Sequence, residues 1–326
     1  MNKVSIYLLK ILRKVYQKIN QQPFKFARGI QEEEQASTIL IEQLLADKPC
    51  MIARLGSTEL TCLLNYLSIK ENKNKYLKYI KGECEPFWWN QNIMTQMQNW
   101  SGFFPADQAH LTRFCELMLQ DLKDVDILGS WLSEEEQVDI YRVNDSLNVH
   151  LRLLEPFWSK KPWTLALKGK KVLVVHPFNE TIEAQYKKRT LLFEKEVLPE
   201  FELSTIKAVQ SLGGDSEFKT WFEALDFMKA EIDKVDYDVC LIGAGAYGFP
   251  LAAHVKQSGK KAVHLGGALQ LLFGIKGNRW EDPNYGVKEW GINRGSYSNL
   301  MNKHWVRPGE IDKPKNAQQV EGACYW

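Results

Sequence analysis

The chain lacks the cysteine patterns of metal centres and of disulfide-stapled folds. Its six cysteines are scattered over 326 residues, and no two stand in a CxxC pair or at metal-ligand spacing. Most have apolar neighbours, so we expect reduced thiols in a core, as in a cytoplasmic protein. Charge of one sign is also lacking. The formal net charge is +2 at pH 7, which gives no support for a nucleic-acid partner.

The first 30 residues lack acidic side chains and long apolar runs, although they carry seven Lys or Arg residues. The uncharged run from Val4 to Leu9 is far too short to span a bilayer, and no cleavage site of a signal peptide follows it. Helical spacing of apolar residues over 1–22 predicts a basic amphipathic helix. Two interpretations stay open. The helix lies peripherally on an anionic membrane surface, or it packs on its own domain or on a second copy in a homo-oligomer.

Short apolar runs alternate with helical patterns through most of the remaining sequence. Residues 172–175 and 239–242 are continuously apolar, as in strands that are covered on both faces. The alternation predicts an α/β fold, a Rossmann-like doubly wound and mostly parallel sheet with helices on both faces. Residues 49–56 and 125–132 predict two earlier strands, and residues 201–209 predict an edge strand. We expect a single domain over 23–326, with a helical, aromatic-rich insertion around 71–124.

In a doubly wound sheet, ligands bind outside the carboxyl ends of the strands. The residues at the predicted strand ends are therefore the candidates for a binding site. They are Arg54, Gly56, Ser57, Glu59, Ser130, Trp131, His176, Asn179, Glu180, Gly243, Gly245, Gly248, His264, Gly266 and Gly267.

The stretch "GAGAYG" at 243–248 matches GxGxxG, directly after a predicted strand and at the start of a helix. Glycines in this context let the backbone approach a phosphate. A dinucleotide site also needs an acidic residue about 20 positions further on, where this chain has His264. We therefore expect neither NAD nor FAD. The phosphates of another nucleotide, or tight packing of the helix against the strand, both remain interpretations of the glycines.

The stretch "RLGSTE" at 54–59 follows the first predicted strand. Ser57 is a good helix N-cap and Glu59 would lie in the first turn, but this leaves Arg54 and Gly56 unexplained. An arginine within an apolar run needs a fixed anionic partner, which is either Glu59 or the phosphate of a ligand. The glycine would allow a sharp turn or the close approach of a ligand.

Two segments resemble a known family. "ARLGSTEL" at 53–60 resembles the Arg-Phe-Gly-Asp-Gly-Glu stretch of GT-D glycosyltransferases. The 40 residues "LIGAGAYGFPLAAHVKQSGKKAVHLGGALQLLFGIKGNRW" at 241–280 are similar to the C-terminal strand–loop–helix–strand unit of GT-D-like proteins of bacterial surface-polysaccharide clusters. Residues 71–165 have no counterpart in this resemblance.

The resemblance implies a transferase that moves a sugar from a nucleotide-sugar donor, a UDP-sugar, to a saccharide or lipid-linked acceptor. In that family an Asp-x-Glu pair would hold Mg²⁺ or Mn²⁺ against the donor diphosphate. Carried over, Arg54, Gly56 and Glu59 match the family's Arg, Gly and Glu. Ser57 stands where the family has Asp, so one formal charge is missing from the implied metal site.

The resemblance also implies roles for individual residues. Glu59 would contact the metal or the donor sugar, Arg54 would neutralise phosphate charge or fix Glu59, and His176 or His264 would act as the acceptor base. The cysteines favour the cytoplasm as the location, and the basic N-terminal helix adds the inner membrane face as an option for a lipid-linked acceptor. Alternatives are a non-catalytic nucleotide- or sugar-binding protein and another Rossmann-type nucleotide-dependent enzyme. The implied nucleotide-sugar-binding residues are Gly56, Ser57, Gly243, Gly245, Tyr247, Gly248, His264, Gly266, Gly267 and Arg279.

Overall fold

A seven-stranded parallel sheet organises the chain. The computed structural model describes residues 3–20, 28–71, 73–143, 145–211, 217–309 and 325. The sheet order is β3-β2-β1-β7-β6-β4-β5, and every strand pair in it is parallel. The strands are β1 (Cys50–Ala53), β2 (Ile127–Ser130), β3 (Leu147–His150), β4 (Lys171–His176), β5 (Glu202–Lys207), β6 (Val239–Ile242) and β7 (Lys261–His264).

Helices cover both faces of this sheet, which confirms the predicted doubly wound α/β class. Successive side chains of a strand point to opposite faces. In β4, Val172 and Val174 accordingly lie in one apolar cluster and Leu173 and Val175 in the other. The helices are α1 (Lys3–Ile19), α2 (Glu33–Leu45), α3 (Ser57–Lys70), α4 (Lys75–Lys81), α5 (Gln91–Asn99), α6 (Gln108–Asp121), α7 (Asn179–Tyr186), α8 (Trp221–Asp233), α9 (Gly248–Gln257), α10 (Leu269–Leu272), α11 (Asn278–Glu281) and α12 (Val287–Trp290).

One strand escapes the sequence prediction. β3 reads "LNVH", and only its valine is fully buried. It lies at the edge of the sheet opposite β5, so it needs no continuous apolar run. The edge position of β5, by contrast, agrees with the sequence prediction.

The region around 71–124 is mostly helical and lies between β1 and β2. Helices α3, α4, α5 and α6 all belong to this connection. Four aromatic side chains of the region form successive edge-to-face contacts, with ring centroids 5.0–6.0 Å apart. They are Tyr76, Tyr79, Phe87 and Trp88.

The predicted amphipathic helix is present as α1. Residues 1, 2, 21 and 22 of the predicted segment lie outside the described residues. Across the described part of the chain, no helix combines the length and the apolar character needed to cross a membrane.

The connections after β4 and β6 leave the sheet on opposite faces. After β4 the chain passes through α7, whose Ile182 lies in one apolar cluster. After β6 it passes through α9, whose Leu251 lies in the other cluster. β4 and β6 are neighbours in the sheet, so a crevice opens between their carboxyl ends. Ligands of doubly wound sheets bind at this kind of switch point.

Candidate functional site

A cavity of about 220 Å³ lies at the carboxyl ends of the strands. Its lining comes mainly from the segments that follow β1, β4, β5, β6 and β7. The catalytic and nucleotide-sugar-binding residues that the resemblance implies all line this cavity except Gly248. Of the other strand-end candidates, Trp131 lines it, whereas Ser130, Asn179 and Glu180 do not. The structure therefore brings together residues that are more than 200 positions apart in the chain, such as Arg54 and Arg279.

Arg54 is half-buried at the end of β1 and reaches across the neighbouring strand ends. Its guanidinium carbon lies 5.2 Å from the centroid of the Trp131 ring, which follows β2. On the other side, its Nη1 would be 3.6 Å from a Cβ added at Gly266, which follows β7. No hydrogen bond or ion pair joins Arg54 to another described residue.

Glu59 is not the ion-pair partner of Arg54. Its carboxylate instead lies against the backbone of Gly56, where an added Cβ would be 1.8 Å from Glu59 Oε2. Like Arg54, Glu59 forms no hydrogen bond or ion pair within the part of the chain that the structure describes. The structure therefore does not pair Arg54 with Glu59, and the phosphate of a ligand stays a prediction.

The predicted N-cap role of Ser57 is wrong. The N-cap residue of α3 is Gly56, with φ −74° and ψ 144°, and no side chain caps this end of the helix. Ser57 is the first helical residue and is exposed. A serine one position inside the helix does not have the extended backbone from which a side-chain oxygen reaches the N–H groups of the first turn.

Glu135 is a buried carboxylate near Arg54 that the sequence analysis did not select. Burial raises the pKa of Glu135, while hydrogen bonds from Ser130, Trp131 and Leu132 and the charge of Arg54 act in the opposite direction. Ser130 Oγ donates to it at 2.5 Å. Because these donors already engage the Glu135 carboxylate, we assign it a structural role.

Two of the glycines in 243–248 face buried imidazole rings. A Cβ at Gly243 would lie 2.6 Å from His176 Cδ2, and a Cβ at Gly248 would lie 2.2 Å from His264 Cε1. Gly245 differs from both. Its φ is +52°, and the nearest atom to an added Cβ is Ser101 O at 3.9 Å. Packing therefore explains Gly243 and Gly248, whereas Gly245 faces open space in the cavity.

His176 is buried at the end of β4. Its Nδ1 accepts a hydrogen bond from the Phe178 N–H at 3.0 Å, so the ring proton sits on Nε2. Burial lowers the pKa of His176 to about 3. The ring is neutral at neutral pH and its basic nitrogen is already engaged, which makes it a poor proton acceptor.

His264 is also buried, at the end of β7. Its Nδ1 lies 3.3 Å from the carbonyl oxygen of Ile242 and donates to it. Burial first, and then the charge of Arg54, lower the pKa of His264 to about 3. A neutral imidazole beside Arg54 adds no competing positive charge at this edge of the sheet.

Tyr247 anchors the loop after β6 to the surrounding core. Its ring stacks on Trp221, with centroids 4.8 Å apart and an interplanar angle of 6°. Its hydroxyl lies 2.7 Å from Ser211 Oγ, which in turn donates to the Gly102 carbonyl. Burial raises the pKa of Tyr247 well above its usual value. The hydroxyl is thus a structural anchor at the cavity wall.

Arg279 supplies a second positive charge to the lining, from α11. Its guanidinium carbon lies 4.5 Å from the centroid of the Tyr325 ring, and that ring packs close to Gly267. Gln270 holds this corner together, since its Nε2 donates to the carbonyl oxygens of Lys276 and Tyr325 at 2.9 and 3.1 Å. The charged side chains of the described lining are two arginines and one glutamate.

These residues do not fit a protein-held metal ion. Glu59 is the single carboxylate of the described lining, and no group of three His, Cys, Asp or Glu side chains suited to a metal occurs among the described residues. A hard divalent cation normally takes six or more oxygen ligands. Mg²⁺ or Mn²⁺ would have to take most of its ligands from the diphosphate and from water, and the metal stays a prediction.

Comparisons with known proteins leave the family open. No protein-family model and no curated protein matches the chain. The chain is similar to a solved structure described as the selenomethionine-substituted structure of domain of unknown function 1792, with a TM-score of 0.41 and 12% sequence identity. The alignment covers 95% of this chain and 97% of that chain. That description assigns the other protein no function.

Proposed function

We propose that this protein is a glycosyltransferase that moves a sugar from a nucleotide-sugar donor, a UDP-sugar, to a saccharide or lipid-linked acceptor in surface-polysaccharide synthesis. The observation that carries the proposal is the position of Arg54. Its half-buried guanidinium lines the cavity at the ligand-binding edge of the sheet and has no ion-pair partner among the described residues. An arginine cannot shed its charge on burial, so such a site favours an anionic ligand.

The donor diphosphate is the anion that best fits this environment. Arg54 and Arg279 line the same cavity, against a single Glu59. Guanidinium groups form strong charge-assisted hydrogen bonds with phosphate oxygens. Negative charge grows on the diphosphate as it leaves the sugar, so fixed positive charges stabilise the transition state more than the bound donor. Gly245 leaves room for a phosphate or ribose to approach the backbone.

Glu59 is the group that we assign to the acceptor. In the proposed step, the acceptor hydroxyl oxygen forms a bond to the anomeric carbon, and the bond from that carbon to the diphosphate oxygen breaks. The diphosphate keeps the electron pair, and the hydroxyl proton passes to the Glu59 carboxylate. Burial lowers the pKa of His176 and His264 to about 3, so neither ring takes up a proton readily near neutral pH. Glu59 is therefore the residue of the three that we choose as proton acceptor.

A non-catalytic nucleotide- or sugar-binding protein is the second candidate. It is favoured by Ser57, which stands where the GT-D stretch has Asp, and by the single carboxylate in the described lining. Binding of a nucleotide would look the same in both cases. Turnover of a donor separates them.

Ligand binding and turnover together test the proposal. We expect UDP to raise the melting temperature more than GDP, CMP or NAD, with and without Mn²⁺. We also expect a UDP-sugar to be consumed when an acceptor is present. Glu59→Gln should abolish this turnover and keep UDP binding, whereas Ser57→Ala is the matched control and should keep both. UDP binding without turnover of any UDP-sugar would support the second candidate, and stabilisation by NAD alone would contradict both.

The proposed site of action is the cytoplasm. The cysteines of the described residues are free thiols, and most of them are buried. Reduced, unpaired cysteines are usual for proteins of a reducing compartment.

A further inference from the structure

One side of α1 packs on the domain. Leu9 is 8% exposed, and the Arg13 guanidinium lies 4.7 Å from the centroid of the Tyr79 ring in α4. Arg13 Nη1 also donates to the Cys84 carbonyl oxygen at 2.8 Å. These contacts hold the helix in one orientation and fix which of its sides faces outward.

The opposite side of α1 is apolar and exposed. At 3.6 residues per turn its apolar residues fall within one continuous stripe that points away from Leu9 and Arg13. The first and last of these residues along the helix, Val4 and Ile19, are 67% and 74% exposed. We call this set the apolar stripe of α1. It consists of Val4, Tyr7, Leu8, Ile11, Leu12, Val15 and Ile19.

A row of lysines runs along one edge of this stripe. Lys10, Lys14 and Lys18 are four residues apart and exposed, so they lie above one another on the helix surface. α1 contains no acidic residue, so none of these lysines has a partner of opposite charge within the helix. Apolar surface flanked only by positive charge is the pattern of helices that lie in the interface of anionic membranes.

We propose that α1 binds the surface of an anionic lipid bilayer, with the apolar stripe at the boundary between headgroups and acyl chains and the lysine row against the anionic headgroups. The contacts to α4 are on the other side of the helix, so α1 reaches the bilayer without leaving the domain. A second copy of the chain is a poorer occupant of the stripe. In a pair of identical helices the lysine row would bring only positive charge to the contact, with no acidic residue of α1 to balance it.

Vesicle flotation of the full chain tests this proposal. We expect the protein to float with vesicles of phosphatidylcholine containing phosphatidylglycerol, to bind pure phosphatidylcholine much more weakly, and to lose binding as salt is raised. Replacing Lys10, Lys14 and Lys18 by Gln should weaken binding to the anionic vesicles by about tenfold or more. Replacing the apolar residues Leu8, Ile11 and Val15 by Gln should abolish it. These side chains are exposed, so both variants should keep the wild-type melting temperature.

Two matched controls isolate α1. One replaces three exposed apolar residues elsewhere by Gln, namely Ile140, Leu191 and Phe227. The other replaces the exposed Lys168, Lys187 and Lys188 by Gln. Both controls should bind anionic vesicles like the wild type. Equal loss in the controls would overturn the proposal. So would a concentration-dependent dimer that the Leu8, Ile11 and Val15 variant abolishes while no vesicle binding is seen, because a second copy would then cover the stripe.

Discussion

Two loops lie at the same edge of the sheet, one after β1 and one after β6, and the contacts of each differ from those that its sequence suggests. The loop after β6 carries the glycine pattern of a phosphate site, yet its Gly243 and Gly248 are pressed against His176 and His264. The sequence of the loop after β1 is typical of an ordinary helix cap. The loop has no side-chain cap, and its Arg54 lacks an ion pair among the described residues.

A residue that serves packing and a residue that serves binding differ in their neighbouring groups and in the stability that is lost when they are replaced. A glycine that serves packing has a neighbouring group where its Cβ would be, and removing the glycine costs stability. A charged residue that serves binding lacks its partner until the ligand arrives, and removing the residue costs little stability. We therefore assign structural roles to Gly243 and Gly248, and we propose that the anion of the ligand lies beside Arg54.

The largest effect is expected at Gly248. Alanine there would place a Cβ 2.2 Å from the buried His264 ring, so we expect a loss of about 3 kcal/mol in the free energy of unfolding, or no folding at all. Chemical denaturation measures this loss. Gly169→Ala is the comparison, because its φ is +72° but no atom lies within 4 Å of the added Cβ; the strain alone should cost about 1 kcal/mol. A Gly248→Ala protein as stable as the wild type would remove the packing explanation.

The two buried histidines that pack against the loop after β6, His176 and His264, make the free energy of unfolding depend on pH. Burial lowers the pKa of each to about 3, against about 6.5 in the unfolded chain. Between these values the unfolded chain binds more protons, so the free energy of unfolding falls as the pH drops below 6.5. At pH 4.5 the protonation of His264 in the unfolded chain should lower the free energy of unfolding by about 2–3 kcal/mol. His264→Gln should therefore become less destabilising, relative to the wild type, as the pH is lowered from 7.5 to 4.5.

A buried carboxyl gives the matching test with the opposite sign. Burial raises the pKa of Glu155 to about 7, so the native protein binds more protons than the unfolded chain between pH 4.5 and 7. The free energy of unfolding therefore falls as the pH rises from 4.5 to 7. Glu155→Gln should gain stability relative to the wild type as the pH is raised to 8, by about 2–3 kcal/mol. If both variants kept a constant difference from the wild type at every pH, neither burial argument would stand.

Removing Arg54 should separate binding from stability. We expect Arg54→Gln to weaken UDP binding by about 30-fold, the loss of a charge-assisted contact worth about 2 kcal/mol. The free energy of unfolding should change by less than about 1 kcal/mol, because no ion pair with a described residue is lost and only the contact with the Trp131 ring is removed. Isothermal titration and denaturation measure the two quantities. Arg113→Gln is the matched control, since the Arg113 guanidinium also lies on an aromatic ring, 3.8 Å from the Phe222 centroid, but does not line the cavity. Equal UDP affinity in all three proteins would contradict the assignment.

The smallest effect on stability is expected at Gly56. A Cβ there meets the carboxylate of Glu59, the mobile end of a flexible side chain. Gly56→Ala should therefore change the free energy of unfolding by less than about 1 kcal/mol. Turnover should fall at least tenfold because Glu59 is displaced, while UDP binding is kept. Turnover at the wild-type rate would show that the position of Glu59 is unimportant.

Local sequence predicts every strand of the sheet except the edge strand β3, but it does not predict the roles of the loops. Continuous apolar runs such as Val239–Ile242 predict buried parallel strands because burial on both faces leaves no room for polar residues. β3 was missed because an edge strand such as Leu147–His150 has no such requirement. The GxGxxG spacing is the same whether a phosphate or an imidazole fills the space. Only the tertiary contact of Gly248 with His264, 16 positions further on, decides between them.

The most direct test of the central claim is a crystal structure of the protein with UDP. The account predicts that diphosphate oxygens lie within about 3 Å of the Arg54 guanidinium, with Gly243 and Gly248 still packed on His176 and His264. A diphosphate bound by the backbone of 243–248, away from Arg54, would contradict the account and restore the glycine loop as the phosphate site.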